Sequence, residues 1–163
     1  MMNGTLFVGF KGKNNASSIM VEQISPEHIL LTNSFAGVKK EIDSINREYE
    51  CTVLFGVDKT LNSRVRIEEV AVKDGKQMAS SMNLDSIVEA LNMSGIVSTI
   101  SKTPTAYFCN EAYWFLLKKF SGRAVLIHIP TIKYVNETFF EKMKSAFVDE
   151  GRTLHREVKV ITE

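Results

Sequence analysis

Three short apolar runs in the chain have the length and composition of buried strands. They lie at residues 5–10 (TLFVGF), 51–55 (CTVLF) and 124–129 (AVLIHI). Continuous apolar runs of this length are typical of strands that are covered on both faces of a sheet. Two further strands are predicted at residues 96–100 and 65–72, and the second of these mostly alternates (VRIEEVAV). Its phase changes after Glu68 and Glu69, so we expect a bulge or a short break there.

Apolar residues recur at helical spacing in the segments between these strands. The clearest helix is predicted over residues 34–47, with Ser34 as its N-cap. Three more helices are predicted at residues 84–93, 110–120 and 138–150. A short helix is expected after Ser17 or Ser18, and residues 157–162 fit either an edge strand or a tail.

Strands and helices therefore alternate along nearly the whole chain. This order predicts an α/β fold, a three-layer α/β/α sandwich with a largely parallel or mixed central sheet. No linker, internal repeat or phosphate-binding glycine loop interrupts the pattern, so we expect residues 1–163 to form a single domain.

Composition and charge narrow the classes of function. The 163 residues carry 20 Lys and Arg against 19 Asp and Glu, so neither nucleic acid nor a membrane is expected as a partner. No run approaches the ~20 apolar residues of a membrane span, and residues 1–8 lack the features of a signal peptide. Cys51, Cys109 and three histidines form no ligand-spaced cluster, so we expect no metal and no cofactor. We therefore expect a cytoplasmic protein with reduced thiols.

Cys109 lies at the predicted start of the helix over residues 110–120. The N–H groups and the partial positive charge of a helix N-terminus lower the pKa of a thiol and can hold a developing oxyanion. The alternative is a buried structural cysteine, which is the commoner fate of a single cysteine. Cys51 lies inside an apolar run, so for Cys51 we favour the structural interpretation.

His128 and Glu68 are two other residues whose positions suggest chemistry. His128 lies near the carboxyl end of its predicted strand, where sites in open α/β sheets gather; a core histidine bonded to the backbone fits equally well. Glu68 interrupts a largely apolar pattern, and a buried carboxylate there needs a partner. The partner could be a histidine, which would complete a thiol–imidazole–carboxylate arrangement. Glu68 could instead face solvent or pair with Arg64 or Arg66.

Cys109, His128 and Glu68 each lie within a short sequence motif. Residues 107–113 (YFCNEAY) place Cys before Asn at a helix start, residues 126–130 (LIHIP) contain His-x-Pro, and residues 68–72 (EEVAV) begin with Glu. They resemble the nucleophile, histidine and carboxylate segments of the pyrrolidone-carboxylate peptidases, also called pyroglutamyl peptidases. Residues 6–10 (LFVGF) and 15–17 (NAS) resemble the family's opening strand and the segment after it. The resemblance runs in order along nearly the whole chain.

The resemblance implies a cytosolic cysteine peptidase that acts on a peptide or a small amide and removes N-terminal pyroglutamate. Cys109 would attack the pyroglutamyl carbonyl, His128 would act as the base, and Glu68 would orient the imidazole. The substrate-binding residues that it implies are Phe10, Asn15 and Phe108. The aromatic ring of Phe10 would pack against the lactam ring. Because the family forms homo-oligomers, the resemblance allows a homo-oligomer here as well.

The departures from the family pattern all lie in loops around the substrate. Residues 11–13 lack the second phenylalanine of the family's opening loop, and residues 59–63 replace a Gly-Gly-Arg stretch. Residues 104–107 replace Ala-Gly-Thr-Tyr, and the loop after residue 72 is shorter than in the family. We therefore consider three hypotheses in order of preference: a pyroglutamyl peptidase, a related cysteine amidase with a different acyl substrate, and a non-catalytic relative that acts as a binding protein.

Overall fold

The computed structural model describes residues 3–149, so the edge strand or tail predicted at residues 157–162 lies outside the described residues. The strands are β1 Asn3–Phe10, β2 His28–Leu31, β3 Tyr49–Val57, β4 Arg64–Glu68, β5 Val70–Lys73, β6 Lys76–Ala79, β7 Val97–Ser101 and β8 Ala124–Ile129. The helices are α1 Ala16–Ile24, α2 Phe35–Asp43, α3 Leu84–Met93, α4 Tyr107–Lys119 and α5 Glu137–Lys144. A 3₁₀ turn, Ile132–Tyr134, precedes α5, and a π-helical turn, Ser145–Asp149, follows it.

The main sheet is mixed. Within residues 3–149 it has six strands in the order β2-β1-β3-β8-β4-β7. β1, β2, β3 and β8 run parallel to one another, whereas β4 runs antiparallel to β8 and parallel to β7. β5 and β6 form a separate antiparallel hairpin. The reversed direction of β4 determines which of its side chains lie beside β8.

Both faces of the sheet are buried, as the continuous apolar runs predict. All six residues of β8 are buried. Val53, Val125 and Ile67 belong to a core cluster with residues of α1, α3 and α5. On the opposite face, Leu54 and Leu126 share a second cluster with residues of α2 and α4. The predicted three-layer α/β/α sandwich is confirmed.

The element boundaries differ from the predictions where local signals are weak. The sequence pattern does not predict β2, which is four residues long, or β6, which is polar. The expected break is present, because β4 ends at Glu68 and β5 begins at Val70. Helix α4 begins three residues earlier than predicted, after Ala106, which has no side chain able to cap it. Cys109 therefore lies inside the first turn of α4 rather than before it.

Asn15 caps α1 in place of the Ser17 or Ser18 expected from the sequence. Its Oδ1 accepts hydrogen bonds from the Ser17 N–H at 2.9 Å and from the Ser17 hydroxyl at 2.6 Å. Ser17 Oγ in turn accepts the N–H of Phe10 at 3.0 Å. The cap therefore joins the end of β1 to the start of α1.

Replacing Asn15 with Ala should lower the free energy of unfolding by about 1 kcal/mol, because a first-turn N–H group of α1 loses its acceptor. Urea denaturation followed by circular dichroism measures the change. Asn15→Asp is the matched control, since aspartate keeps the accepting oxygen and should stay close to the wild type. An equal loss in both variants would contradict the capping role.

Candidate active site

Side-chain alternation along three neighbouring strands places three residues in one row on the sheet face that α4 covers. Gly56 on β3 pairs with His128 on β8, and His128 pairs with Arg66 on β4. Leu126, two residues before His128, belongs to the core beneath α4, so His128 points to the same face. Glu68 follows Arg66 by two residues and shares its face. The Gly56–His128–Arg66 row forms the floor of the candidate site.

The first turn of α4 holds Cys109 above this row. The helix begins at Tyr107, whose φ of 67° is a left-handed conformation that is uncommon outside glycine. Cys109 Sγ lies 2.6 Å from the position that a Cβ on Gly56 would occupy, and His128 Nε2 lies 3.3 Å from the same position. The thiol and the imidazole therefore both border the space that glycine leaves open at residue 56.

Glu68 orients the imidazole of His128. The Nδ1 atom of His128 lies 2.9 Å from Glu68 Oε1, and both side chains are buried. With the Nδ1 proton directed to the carboxylate, Nε2 is left as an acceptor on the side of Cys109. Within residues 3–149 the other carboxylate oxygen, Oε2, has no hydrogen-bond partner. The structure therefore brings His128 and Glu68 into contact and places Cys109 beside the same space as the imidazole.

Arg66 connects Glu68 to a second carboxylate, that of Asp58. Its Nε donates to the same Oε1 atom of Glu68 that His128 contacts, and its Nη2 donates to Asp58 Oδ2 at 2.6 Å. Nη2 also lies 3.4 Å from His128 Nδ1. Asp58 Oδ1 accepts the N–H and the hydroxyl of Thr60 at 2.8 and 2.6 Å. Burial raises the pKa of Asp58, but the bonds from Thr60 and Arg66 outweigh it and lower that pKa to about 2.

Two further residues of α4 fasten this helix to the segment that carries Glu68. The Tyr113 hydroxyl donates to the backbone carbonyl of Glu68 at 2.8 Å. Asn110 Oδ1 accepts the N–H of Val72 at 2.9 Å, and its Nδ2 donates to the Val72 carbonyl at 2.7 Å. The nucleophile candidate Cys109 and the carboxylate are therefore held in a fixed relation by the backbone as well as by side chains.

The thiol of Cys109 is neutral at pH 7. Burial and the negative charge of Asp58 raise its pKa most, and Glu68 raises it further, to about 12. Backbone hydrogen bonds of Val57 and Cys109 lower the pKa but do not outweigh these effects. Of the two interpretations that the position of Cys109 left open, the lowered pKa is contradicted, because the sulfur is largely enclosed and lies near two carboxylates. Burial likewise raises the pKa of Cys51 to about 11, in agreement with its structural interpretation.

A cleft of about 440 Å³ opens at Cys109 and His128. The lining residues are Val57, Asp58, Lys59, Thr60, Thr105, Ala106, Tyr107, Cys109 and His128. Tyr107 is 79% exposed at its edge. The volume is within the range of small-molecule sites, and the two reactive side chains are part of its wall.

The substrate-binding residues that the resemblance implies are not among those that line this cleft in the described part of the chain. Phe10 is buried in the core beneath α2 and α4, and Asn15 caps α1. The Phe108 ring packs edge-on against Phe35, with ring centroids 4.8 Å apart. A role for these residues in binding substrate remains a prediction.

Gly56, Asp58 and Arg66 are site residues that the sequence analysis did not identify. Gly56 directly follows the apolar run at residues 51–55, and Arg66 appears in the sequence analysis only as one ion-pair alternative for Glu68. A usable signal exists for two of them, since a glycine and an acidic residue together end a buried strand at the edge where α/β sites form.

Within residues 3–149, no group of three or more His, Cys, Asp or Glu side chains is arranged to hold a metal ion. The same residues include no helix with the length and apolar character needed to cross a membrane. The ionisable groups at the site instead interact with one another, with Arg66 between the two carboxylates.

Pyrrolidone carboxyl peptidases are among the solved structures that share this fold. The enzyme from Thermococcus litoralis matches with a TM-score of 0.70 and 19% identity, over 93% of this chain and 96% of that one. The enzyme from Thermus thermophilus matches with a TM-score of 0.74 and 15% identity, over 88% and 98%. Pyroglutamyl peptidase I from Bacillus amyloliquefaciens matches with a TM-score of 0.72 and 16% identity, over 97% of each chain. No protein-family model and no curated protein sequence matches this chain.

These similarities define the protein first as an α/β/α sandwich with a mixed sheet. More particularly, the chain has the pyrrolidone carboxyl peptidase fold, which the sequence motifs predicted. The TM-scores of 0.70–0.78 establish the shared fold, whereas identities of 15–19% do not carry over the activity, so the chemistry has to be argued from the side chains at the site.

Replacing Asp58 with Asn should lower the pKa of Cys109, because Asp58 is the charged group that raises it most. The rate of iodoacetamide alkylation at Cys109, measured in a Cys51→Ala background, should then rise at every pH below about 11. In the parent protein the rate should keep climbing about tenfold per pH unit through pH 10, since the thiolate is a minor species below pH 12.

Asp74→Asn is the matched control, because Asp74 lies in the exposed turn between β5 and β6, where φ is 52° and Asn is also tolerated. Its alkylation profile should match that of the parent. A plateau in the parent near pH 7 would contradict a neutral thiol, and no effect of Asp58→Asn would contradict the contribution of Asp58 to the raised pKa.

Proposed function

We propose that this protein is a cysteine hydrolase of amide bonds that removes pyroglutamate from the N-terminus of peptides. The observation that carries the proposal is the shared space at Gly56, which Cys109 Sγ borders on one side and His128 Nε2 on another. Glu68 binds the remaining ring nitrogen, so the three side chains have the order that nucleophilic catalysis requires.

The reaction begins with the neutral thiol of Cys109. Sγ attacks the substrate carbonyl carbon while its proton moves to Nε2 of His128, and Glu68 stabilises the resulting imidazolium. The C–N bond of the tetrahedral intermediate then breaks, and the proton on Nε2 passes to the departing amine. The product of this half-reaction is a thioester on Cys109 and a shortened peptide with a free amino group.

A water molecule completes the cycle. Nε2 accepts one proton of the water as its oxygen attacks the thioester carbonyl, and the same proton returns to Sγ as the C–S bond breaks. Free pyroglutamate leaves and the thiol is restored. In the described structure Sγ and Nε2 are adjacent without a direct hydrogen bond, and such contacts commonly tighten when substrate binds.

Two observations support this class of substrate. The proteins that share the fold are named as pyrrolidone carboxyl peptidases and as pyroglutamyl peptidase I. The cleft at Cys109 and His128, about 440 Å³ in volume, has room for a small acyl group and the start of the peptide that follows it. The peptide substrate, the homo-oligomer and the cytoplasmic location are parts of the same proposal.

A second candidate function is hydrolysis of an amide with a different acyl group by the same chemistry. The observation that favours it is the lining of the cleft, which has Asp58, Lys59 and Thr60 on one side and does not include Phe10 or Phe108 among the described residues. The lining of the cleft is mostly apolar, and these three side chains give it polar groups that could bind an acyl group with more hydrogen-bonding atoms than a lactam.

Hydrolysis of a fluorogenic pyroglutamyl amide under reducing conditions tests the proposal. Cys109→Ser, His128→Asn and Glu68→Gln should each lower kcat/KM, the first two by roughly a hundredfold to ten-thousandfold, because each removes one part of the proton-transfer chain. Cys51→Ala is the matched control and should keep the wild-type rate.

A panel of other N-acyl amides separates the two candidates. Hydrolysis of another acyl amide that depends on Cys109, without cleavage of the pyroglutamyl amide, would favour the second. If the folded protein cleaves none of these amides, or if Cys109→Ser cleaves as fast as the wild type, the catalytic proposal is wrong and the non-catalytic hypothesis takes its place.

Replacing Gly56 with Ala should abolish most of the activity by a different route. The added methyl group would lie 2.6 Å from Sγ and 3.3 Å from Nε2, so the thiol and the imidazole must move apart. We expect kcat to fall by at least about a hundredfold, the low end of what general-base catalysis contributes. Thermal unfolding checks that the protein is still folded, at an expected overpacking cost of about 1–3 kcal/mol. A folded variant with the wild-type kcat would contradict the placement of the two groups.

A further inference from the structure

We propose that Arg66 is a positioning residue of the catalytic site, one that shares the charge of Glu68 and so keeps His128 available as a base. The inference rests on the proposed function, since it assigns a role within the same reaction. Arg66 does not belong to the segments that resemble the peptidase motifs, and the contacts of its guanidinium are the reason for the assignment.

The placement of Arg66 follows from strand register. It lies directly opposite His128 in the antiparallel pairing of β4 with β8, on the same face as Glu68. Its side chain is about one-fifth exposed, so the guanidinium is largely withdrawn from water. A cation in this position is held by its partners, and those partners are Asp58 and Glu68.

The guanidinium and the imidazole share one oxygen atom. Nε of Arg66 and Nδ1 of His128 both contact Glu68 Oε1, and Nη2 of Arg66 lies 3.4 Å from Nδ1. The negative charge of Glu68 is therefore shared between the guanidinium of Arg66 and the ring of His128. The positive charge of Arg66 itself also opposes a second positive charge on the ring.

All the charged or titratable groups that contact or closely border His128 can be named for the described part of the chain. Glu68 and Arg66 contact the ring from β4, Asp58 and Lys59 line the same cleft from the segment after β3, and Tyr107 and Cys109 line it from α4. The set holds two cations, Lys59 and Arg66, and among the described residues Arg66 is the one that contacts both carboxylates and the ring. Removing Arg66 would leave the charge of Glu68 beside the ring uncompensated, which favours the imidazolium over the neutral base.

The planar shape of the guanidinium matters as well as its charge. Arg66 uses Nε toward Glu68 and Nη2 toward Asp58, two donors pointing in different directions from one rigid group. A lysine ammonium supplies the charge without this fixed geometry. Arg66→Lys should therefore restore the charge balance and only part of the orientation of Glu68.

The test compares Arg66→Gln and Arg66→Lys by the pH dependence of kcat/KM for a pyroglutamyl amide. In Arg66→Gln the acidic limb should move upward by about one pH unit, so kcat on that limb should fall roughly tenfold with little change in KM. In Arg66→Lys the acidic limb should lie near its wild-type position, while kcat stays below wild type. Asp58→Asn/Arg66→Gln, which leaves no orphaned charge at residue 58, should still show the upward shift.

An NMR titration of the His128 imidazole in the wild type and in the same variants gives a readout that does not need activity. Its midpoint should rise in Arg66→Gln and in the double variant. A wild-type protein that cleaves no substrate overturns the proposed function, and the titration still decides the role of Arg66. Folded Arg66→Gln and double variants whose pH profile and His128 midpoint equal those of the wild type would overturn the inference.

Discussion

The antiparallel pairing of β4 with β8 is the constraint on which the candidate site depends. Because β4 runs against β8, Arg66 lies opposite His128, and Glu68 reaches Nδ1 from the neighbouring position opposite Leu126. A slip of one residue would turn both side chains to the other face, into the apolar core beneath α1, α3 and α5. The burial of Ile67 in that core and the Tyr113 bond to the Glu68 carbonyl both fix the register.

The same constraint sets the charge balance around the thiol. Two carboxylates, those of Asp58 and Glu68, lie within reach of Cys109, and Arg66 is placed between them. Burial and these carboxylates raise the pKa of Cys109. In the proposed reaction the thiol therefore passes its proton to His128 during attack, as the hydroxyl of a serine hydrolase does, and no preformed thiolate is needed. A neutral thiol also resists alkylation and oxidation, because the thiolate is the reactive form.

The sequence predicts the sandwich because its strands are apolar on both faces and its helices have a clear period. It also singles out Cys109, His128 and Glu68: the residue pattern offers their joint arrangement as one alternative, and the resemblance implies a role for each. The sequence does not predict the direction of β4, since alternating apolar and polar residues occur in both parallel and antiparallel pairings. Arg66 and Gly56 depend on that pairing and on a close approach between α4 and β3, so neither could be recognised from spacing along the chain.

The pKa of Cys109 was mispredicted for a related reason. A position at the start of a helix predicts a lowered value, but enclosure and nearby charge depend on which strands lie beneath the helix. The sequence pattern correctly predicted that Cys109 lies near the start of α4, but it did not predict that the pKa of the thiol is raised. The lining of the cleft could not be predicted from the sequence for the same reason. Most of its residues come from segments 57–60 and 105–107, which are far apart in the chain and approach each other only in the folded protein.

The measurement that tests the central claim most directly is the mass of the covalent intermediate. The protein is mixed with excess pyroglutamyl amide, quenched in acid within the first turnovers, digested and analysed by mass spectrometry. The account predicts that the peptide containing Cys109 gains the mass of the pyroglutamyl acyl group as a thioester, that Gly56→Ala greatly reduces this signal, and that Cys51 is unmodified. Turnover of the amide with no acyl group on Cys109, or with the acyl group on another residue, would contradict it.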